Sequence, residues 1–211
     1  MKKKELTYKQ IREIRADIPE GTKGDWKIEL FVVDKEGADH HNMQCAMHGG
    51  RRTIVEGTYT RLKKNGSIIM SDTPAEQDDH MEFIQRAKGD VLINGLGMGW
   101  VIEVLLRLPQ VTSLTVIEIS QNLIDLVAPH YKAKDKENKL NIICADAFEW
   151  KPPKGQRYGA VWHDIWDNIC GDNVEDMKKL HRKYGRRTDY QSSWCRWECE
   201  QKNKVNYNYG W

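Results

Sequence analysis

The strongest constraint on the fold is an alternation of short apolar runs and amphipathic stretches between residues 90 and 164. Apolar runs bounded by turn signals predict buried strands, and the stretches between them have the spacing of helices that bury one face. The predicted strands are Asp90–Asn94, Ser113–Ile119, Leu140–Cys144 and Tyr158–Asp164, and the predicted helices are Met98–Arg107 and Gln121–Tyr131, the second capped by Ser120. Strands that alternate with helices in this way form a parallel sheet with helices on both faces. The sequence therefore predicts an α/β domain.

The residues before this alternation have a pattern typical of a small β-region that ends in a helix. The predicted elements are a short helix around Tyr8–Ile18, strands at Trp26–Asp34, Arg52–Arg61 and Ser67–Ser71, a loop at Gly37–Arg52, a turn at Lys64–Gly66, and a helix capped by Ser71 or Thr73 that contains Pro74 and runs to about Lys88. Asn-Gly is typical of a hairpin turn, and Pro is favoured in the first turn of a helix. We expect an N-terminal region of residues 1–88 and a second domain of residues 89–211. Beyond residue 172 the pattern is helical from Asn173 to about Cys199, with a break at Gly185, and irregular from Gln201 to Trp211.

Composition excludes some broad classes of function. Lys and Arg together number 33 against 31 Asp and Glu, so the formal net charge is +2. That balance argues against nucleic-acid binding driven by bulk charge, although it leaves room for a local basic patch. The apolar runs are far shorter than the roughly 20 residues that span a bilayer. Five scattered cysteines fit free thiols in a reducing cytosol, so we expect a cytoplasmic protein that is not in a membrane.

A glycine loop follows the first strand of the alternation. Gly95, Gly97 and Gly99 lead into a helix, and glycines let a backbone turn sharply and approach a ligand closely. About 20 residues further on, the next strand ends at Glu118, which can accept hydrogen bonds from both hydroxyls of a ribose. This combination predicts a nucleoside site in a Rossmann-like domain. The alternative for Glu118 is a carboxylate that favours the start of the next helix.

Asp146 follows the third predicted strand and borders the same edge of the sheet. Its carboxylate can accept a hydrogen bond from an adenine amino group. The alternative is a helix N-cap, because Asp is favoured there.

These motifs resemble those of class I methyltransferases and, among them, of spermidine synthases. Val91 to Gly99 is similar in register to the glycine loop of the aminopropyltransferases, which also lack the acid that Ile93 replaces here. The likeness covers residues 91 to 168 well and extends weakly to the hairpin before residue 90. It implies S-adenosylmethionine, or its decarboxylated form, as the cofactor. The cofactor-binding residues it implies are Asn94, Gly95, Leu96, Gly97, Gly99, Glu118, Ile119, Asp146, Ala147 and Asp164.

The end of the fourth strand is the predicted chemical site. In spermidine synthases this strand ends in two acids separated by two residues, and Asp164 and Asp167 stand at the matching positions. One such carboxylate can hold an amine and take its proton as the nitrogen attacks. Trp166 is expected to bind substrate through cation–π contact, or else to belong to the core. His163 is a candidate for substrate binding and proton transfer, with a structural histidine as the alternative.

Three departures from the spermidine synthase pattern weaken the case for its usual donor and amine. Met98 replaces an acid of the glycine loop, and Ile69 replaces a Gln of the hairpin. The Tyr-x-Glu segment of that family corresponds to His80 and Glu82 only with a small insertion, which makes these two residues candidates for substrate binding. The full methyltransferase fold also has three more strands after the fourth, which we expect to be shortened or absent here. A bare sheet edge invites pairing, so we expect a homo-oligomer.

Two clusters outside these motifs have no clear ligand. His40, His41, Cys45 and His48 share one stretch, but their spacing matches no standard zinc pattern, so we expect a substrate lid there and no metal site. A basic run from His181 to Arg187 could meet phosphates or RNA; a solvated helix face is the favoured interpretation.

The sequence as a whole predicts an S-adenosylmethionine-dependent transferase, most simply a methyltransferase, that acts on a small acceptor. Aminopropyl transfer to a polyamine is the first alternative, and cleavage of the cofactor itself is the second. The third is a ligand-binding or assembly protein without catalysis on a shortened scaffold.

Overall fold

The computed structural model describes residues 6–47 and 52–209, which form two sheets and their flanking helices. The N-terminal part contains α1 (Tyr8–Arg12), β1 (Gly21–Lys23), β2 (Trp26–Val33), α2 (Lys35–Met47), β3 (Gly57–Lys64), β4 (Ser67–Ser71) and α3 (Pro74–Arg86). The remainder contains β5 (Gly89–Asn94), α4 (Trp100–Arg107), β6 (Val111–Glu118), α5 (Gln121–Lys134), β7 (Leu140–Cys144), β8 (Ala160–His163), α6 (Asn173–Tyr184), β9 (Gln191–Ser193) and α7 (Arg196–Tyr209).

The second sheet is parallel throughout, with the strand order β7-β6-β5-β8-β9. Alternate residues of its central strand β5 bury against opposite sides. Val91 and Ile93 belong to the cluster that contains α3, α4 and α5, whereas Leu92 packs with Leu180 and Tyr184 of α6. Helices therefore cover both faces, and the predicted α/β, Rossmann-like class is confirmed.

The first sheet is antiparallel, in the order β1-β2-β3-β4. Asn65 and Gly66 both have positive φ in the turn between β3 and β4, as the Asn-Gly dipeptide predicts. Ile28 and Leu62 of this sheet share a hydrophobic cluster with Leu114 and Val116 of the parallel sheet. One core thus joins the two sheets, and the division of the chain at residues 88 and 89 stays a prediction.

Three local predictions are wrong. The predicted loop at Gly37–Arg52 contains helix α2, which starts where Asp34 Oδ1 accepts the Gly37 N–H at 2.8 Å. Ala38 is its buried residue, so the helix lacks the apolar period that marks most helices. The short strand β9 interrupts the region predicted to be helical, and α7 extends into the tail predicted to be irregular up to Tyr209; residues 210 and 211 lie outside the described residues.

Candidate active site

A cavity of about 240 Å³ lies where the carboxyl ends of β5, β6, β7 and β8 meet the N-terminal hairpin. The carboxyl edge of an open parallel sheet is where such folds bind ligands. We call this space the strand-end cavity. Its lining includes Trp26, Lys64, Ile69, Met70, Glu76, Gly95, Gly97, Glu118, Ile119, Asp146, Ala147, Phe148, Asp164, Trp166, Asp167 and Trp194.

The glycine loop forms the floor of this cavity beside β8. Gly95 has a φ of +101°, and a Cβ there would lie 1.8 Å from the carbonyl oxygen of Asp164. Gly99, with a φ of +83°, begins α4 and presses against Tyr131, where a Cβ would lie 2.1 Å from the ring. Gly95 and Gly97 line the cavity, whereas Gly99 and the buried Leu96 do not. The loop is therefore shaped by close backbone packing as well as by the space it borders.

Glu118 at the end of β6 is held in place by the main chain. Its Oε2 accepts the Leu96 N–H at 3.0 Å, and its Oε1 accepts the Ser120 N–H at 2.8 Å. The side chain is 8% exposed, and burial raises its pKa against the lowering effect of these backbone donors. The carboxylate thus links the glycine loop to the next helix and faces the cavity with a fixed orientation. Ile119 beside it is exposed at the rim.

Asp146 follows β7 and starts a turn. Its Oδ1 accepts the Phe148 N–H at 2.7 Å, and its carbonyl accepts the Trp150 N–H at 2.8 Å. The carboxylate therefore stabilises a turn at residues 147–149, and no helix begins there, so the helix N-cap of the alternative interpretation is not formed. Asp146, Ala147 and Phe148 also line the cavity, so the turn places this acid at the edge of that space.

Asp164 lies directly after β8, and its N–H donates to the Asn94 carbonyl at 2.8 Å. Burial, together with the nearby carboxylates of Glu76 and Asp79, raises the pKa of Asp164 to about 7. A carboxyl group with that pKa exchanges a proton readily near neutrality.

Glu76 is an acid of the strand-end cavity that the sequence did not predict as a site residue. It lies in the first turn of α3, where its Oε2 accepts the Ser71 N–H at 2.9 Å and its Oε1 accepts the Ser71 hydroxyl at 3.1 Å. Burial raises its pKa to about 7. Its position three residues after Thr73 is that of a helix-capping acid, so the sequence signal favours a structural role. Only the packing of α3 against β8, which includes the stacking of Phe83 on Trp162, brings it to the cavity.

Asp167, the second predicted catalytic acid, lies at the rim. Its Oδ2 is 3.3 Å from the Lys64 ammonium, which also lies 5.0 Å from the centre of the Trp26 ring. The Trp26 indole in turn donates to the Ser120 hydroxyl at 2.8 Å. Asp167 is therefore half-exposed and already has a cation beside it, in contrast to Asp164. Trp166, between the two acids, lines the cavity and also packs on the core, so its role in substrate binding stays a prediction.

Met70 lies against the glycine loop from β4. Its Sδ accepts the Met98 N–H at 3.3 Å, and a Cβ on Gly97 would lie 2.5 Å from the same sulfur. Met98 itself is fully buried, so the side chain that replaces the family's acid does not reach the cavity.

His163 and Asn94 form a buried pair behind the cavity rather than a part of its wall. The Asn94 side-chain nitrogen lies 2.8 Å from His163 Nδ1, and the other ring nitrogen lies 3.3 Å from Gln191 Oε1. Both residues have no exposed surface, and burial lowers the pKa of His163 to about 3. A neutral, enclosed imidazole suits the structural alternative, and neither residue has a role in the function proposed below.

His80 and Glu82 also lie outside the cavity lining. His80 is 2% exposed, with ring centres 5.9 Å from Trp100 and 5.5 Å from Trp162, and burial lowers its pKa to about 3. Glu82 is exposed, and its Oε1 lies 3.4 Å from the Arg86 side chain. The substrate-binding role implied for these two residues is therefore not retained.

The described residues contain no group of three or more side chains arranged to hold a metal ion. His40, His41 and Cys45 lie on α2, whereas His48 is outside the described residues. Within residues 6–47 and 52–209, no helix is both long and apolar enough to cross a bilayer.

Comparison with known proteins gives matches of two kinds, while no family model matches the chain. The chain is 24% identical over 171 residues to the polyamine aminopropyltransferase of Buchnera aphidicola subsp. Acyrthosiphon pisum (strain Tuc7), an alignment that covers 67% of this chain and 59% of the relative. The chain thus spans about three fifths of the length of the curated relatives it matches. This match confirms the resemblance to the aminopropyltransferases found in the sequence.

Methyltransferases recur among the similar solved structures. An S-adenosylmethionine-dependent methyltransferase from Clostridium acetobutylicum ATCC 824 has 15% identity and a TM-score of 0.39, with 53% of this chain and 43% of that chain covered. The glycopeptide N-methyltransferase MtfA, solved in complex with (S)-adenosyl-L-methionine, has 19% identity and a TM-score of 0.41, with 53% and 45% covered.

Proposed function

We propose that this chain is an S-adenosylmethionine-dependent transferase, most simply a methyltransferase, that acts on a small amine-containing acceptor. One observation carries the proposal: a glycine loop and three acids from adjacent parallel strands face one cavity. These acids are Glu118, Asp146 and Asp164. If these acids were only solvated carboxylates or helix caps, they would have no reason to line the same cavity.

The residues present fit the nucleoside part of this cofactor. A carboxylate has about four lone-pair sites, so Glu118 can accept two ribose hydroxyls while it keeps its two backbone donors. Asp146 uses Oδ1 to accept the Phe148 N–H, which leaves Oδ2 to accept from an adenine amino group. Ala147 and Phe148 supply apolar surface for the base. When bound, the cofactor supplies a carbon activated by a positively charged sulfur.

Asp164 is the residue expected to handle the proton. Asp164 lines the end of the cavity next to β8, and a pKa of about 7 lets its carboxylate accept a proton from an attacking amine near neutral pH. Glu76 adds a second negative charge when ionised, which favours a cationic acceptor at that end. Trp166 and Trp194 give this end an aromatic wall.

Aminopropyl transfer is the second candidate. The pair Asp164 and Asp167, together with the similarity to a polyamine aminopropyltransferase, favours it. The ion pair between Asp167 and Lys64 opposes it, because a diamine would have to compete with Lys64 for that carboxylate.

The experiment is to incubate the pure protein with S-adenosylmethionine or its decarboxylated form, with and without amines, and to follow products by mass spectrometry. We expect S-adenosylhomocysteine and a methylated amine. Methylthioadenosine formed only from the decarboxylated donor plus an amine would establish aminopropyl transfer instead. Cofactor loss without an acceptor would indicate cleavage, and binding without turnover a non-catalytic protein. Absence of binding to either donor would contradict the whole proposal.

We also propose a cytoplasmic homo-oligomer. Leu30 and Val32, exposed on β2, offer apolar surface to a second copy. Light scattering that shows a monomer at micromolar concentration would contradict this.

A further inference from the structure

Two basic segments on the side of the parallel sheet covered by α6 come together into one cleft. Residues 151–157 and 181–187 contain seven Lys and Arg and no Asp or Glu. Since the whole chain has a formal net charge of +2, the rest of the chain has a net charge of −5. The structure joins the two segments: the Arg157 guanidinium donates to the Arg186 carbonyl at 2.8 Å, and the Tyr158 N–H donates to the Arg187 carbonyl at 2.7 Å. We call the space lined by Arg157, Arg182, Lys183, Arg186 and Arg187 the basic cleft.

Most cations of the basic cleft lack an acidic partner among the described residues. Arg157 lies 3.4 Å from the Asp189 carboxylate. Within the described residues, no carboxylate lies within 4.0 Å of the Arg182, Arg186 or Arg187 guanidinium groups. The earlier turns of α6, the helix that contains Arg182, are different, because Lys178 pairs with Glu175 at 2.7 Å and Lys179 with Asp176 at 2.8 Å. Like charges held together without counter-charges repel one another, so the cleft favours an anion from outside the chain.

Helix electrostatics explain only part of this charge. Cations in the last turn of a helix are stabilised by its dipole, which accounts for Arg182 and Lys183 in α6. Arg186 and Arg187 lie beyond the end of α6, and Arg157 belongs to a separate loop. Their convergence on the same space needs another reason.

We infer that the basic cleft binds the phosphate backbone of a nucleic acid. Four of its five cations are Arg, whose planar guanidinium matches phosphate oxygens in pairs. The large apolar side chains that are exposed within residues 6–47 and 52–203 all lie elsewhere, so those residues give the cleft nothing to insert into a membrane. Phosphate contacts position a strand without reading its sequence, and we therefore expect little sequence preference.

Lys183 connects the basic cleft to the strand-end cavity. Its ammonium donates to the carbonyls of Ala147 and Phe148, each at 2.8 Å, and both residues line that cavity. A strand in the cleft would thus pass behind the wall that holds the proposed nucleoside, without entering the cavity itself.

The experiment measures fluorescence anisotropy of labelled single-stranded RNA, single-stranded DNA and duplex DNA of about 20 nucleotides at several salt concentrations. The test variant carries Arg186→Glu and Arg187→Glu. The matched control carries Lys178→Glu and Lys179→Glu, which makes the same change in net charge on the adjoining helix α6, at lysines that already have partners. Thermal unfolding and S-adenosylmethionine binding are measured for both variants to show that the fold and the cavity persist.

We expect micromolar binding at low salt that weakens steeply as salt rises. The logarithm of the association constant should fall with the logarithm of the salt concentration with a slope of about −4, for about five phosphate contacts. The arginine variant should bind at least tenfold more weakly, and the lysine control within about threefold of the parent chain. Equal losses in the two variants would overturn the assignment of the site, since bulk charge would then explain the binding. No binding to any of the oligonucleotides at low salt would overturn the inference as a whole.

Discussion

The two ends of the strand-end cavity are built in different ways. The end proposed to bind the nucleoside, called the nucleoside end below, comes from one continuous stretch, residues 95–148. Backbone N–H groups fix its acids: Leu96 and Ser120 hold Glu118, and Phe148 holds Asp146. The end proposed to bind the acceptor, called the acceptor end below, is assembled from side chains far apart in the sequence, including Lys64, Glu76 and Trp194. At the nucleoside end the main chain holds the acids, so a substitution elsewhere should leave their positions unchanged. At the acceptor end a single substitution can change the shape and charge of the cavity.

The largest effect is expected where the two ends meet. Gly95→Ala places a Cβ 1.8 Å from the Asp164 carbonyl, an overlap with backbone that no side-chain movement relieves. We expect a loss of about 3 kcal/mol or more in the free energy of unfolding and loss of nucleoside binding. Chemical denaturation and calorimetry measure these quantities. Gly155→Ala is the control, because Gly155 has a φ of +81° but open space around it; its cost should be about 1 kcal/mol, from backbone strain alone. Equal costs would show that the close approach is not what constrains Gly95.

The next effect separates chemistry from binding. Asp164→Asn keeps the shape of the side chain but removes the proton acceptor, so turnover should fall about 100-fold or more. Nucleoside affinity should stay within about twofold, because Glu118 and Asp146 are unchanged. Since the pKa of Asp164 is raised to about 7, the rate of the proposed reaction in the parent chain should rise with pH through that value as the carboxylate ionises, and the rise should be absent in the variant. A variant with full activity and the same pH profile would remove Asp164 from the mechanism.

Glu118 tests the nucleoside end alone. Glu118→Ala removes the proposed ribose acceptor and the link to Leu96, so nucleoside affinity measured by calorimetry should fall at least tenfold. Glu82→Ala is the comparison, because Glu82 is exposed and does not line the cavity; it should leave affinity unchanged. Unchanged affinity in Glu118→Ala would contradict the ribose assignment.

A smaller effect concerns stability and pH. The pKa of Asp164 is higher in the fold than its usual value of 3.8, so the folded protein binds this proton more tightly than the unfolded chain. Stability from this group is then greatest at low pH and declines as pH rises toward and through about 7. Asp164→Asn removes that decline, so its Tm should exceed that of the parent by a few degrees more at pH 8 than at pH 5. A difference in Tm that does not change with pH would contradict the raised pKa.

The smallest effect is expected at the rim. Lys64→Met removes the cation beside Asp167 and frees that carboxylate for an acceptor amine, so KM for a diamine should fall about threefold, as for other exposed ion pairs. Lys63→Met, on the same strand but paired with Glu29 at 3.1 Å, should leave KM unchanged. An increase in KM would instead show that Lys64 helps to bind the acceptor.

The parallel sheet was predictable because its central strands are buried on both faces. Val91, Leu92 and Ile93 are apolar in succession, which leaves little choice but a strand between two layers of helices. Strand β9 was missed because it is an edge strand of three polar residues, and only its docking on β8 makes it a strand. Helix α2 was missed because it buries little, so its sequence has no apolar helical period, and it depends on the cap from Asp34.

The candidate site divides in the same way. Gly95, Glu118 and Asp146 could be found because each lies at a strand end, a position that a local pattern specifies. Glu76 and Trp194 could not, because no signal in their own segments refers to β8, and their approach depends on how α3 and the residues after β9 pack. For His163 the pattern gave the right strand end, but the side chain points to the far side from the cavity, toward Gln191.

The buried contact from Gln191 through His163 to Asn94 joins the outermost strand to the residue just before the glycine loop. Because His163 has no exposed surface, β9 cannot separate from β8 without opening this interior to water. We therefore expect amide hydrogen exchange in β9 to depend on the state of the loop. A ligand that tightens the loop should slow exchange at Gln191–Ser193, a segment that it does not touch, so the sheet edge serves as a remote indicator of occupancy.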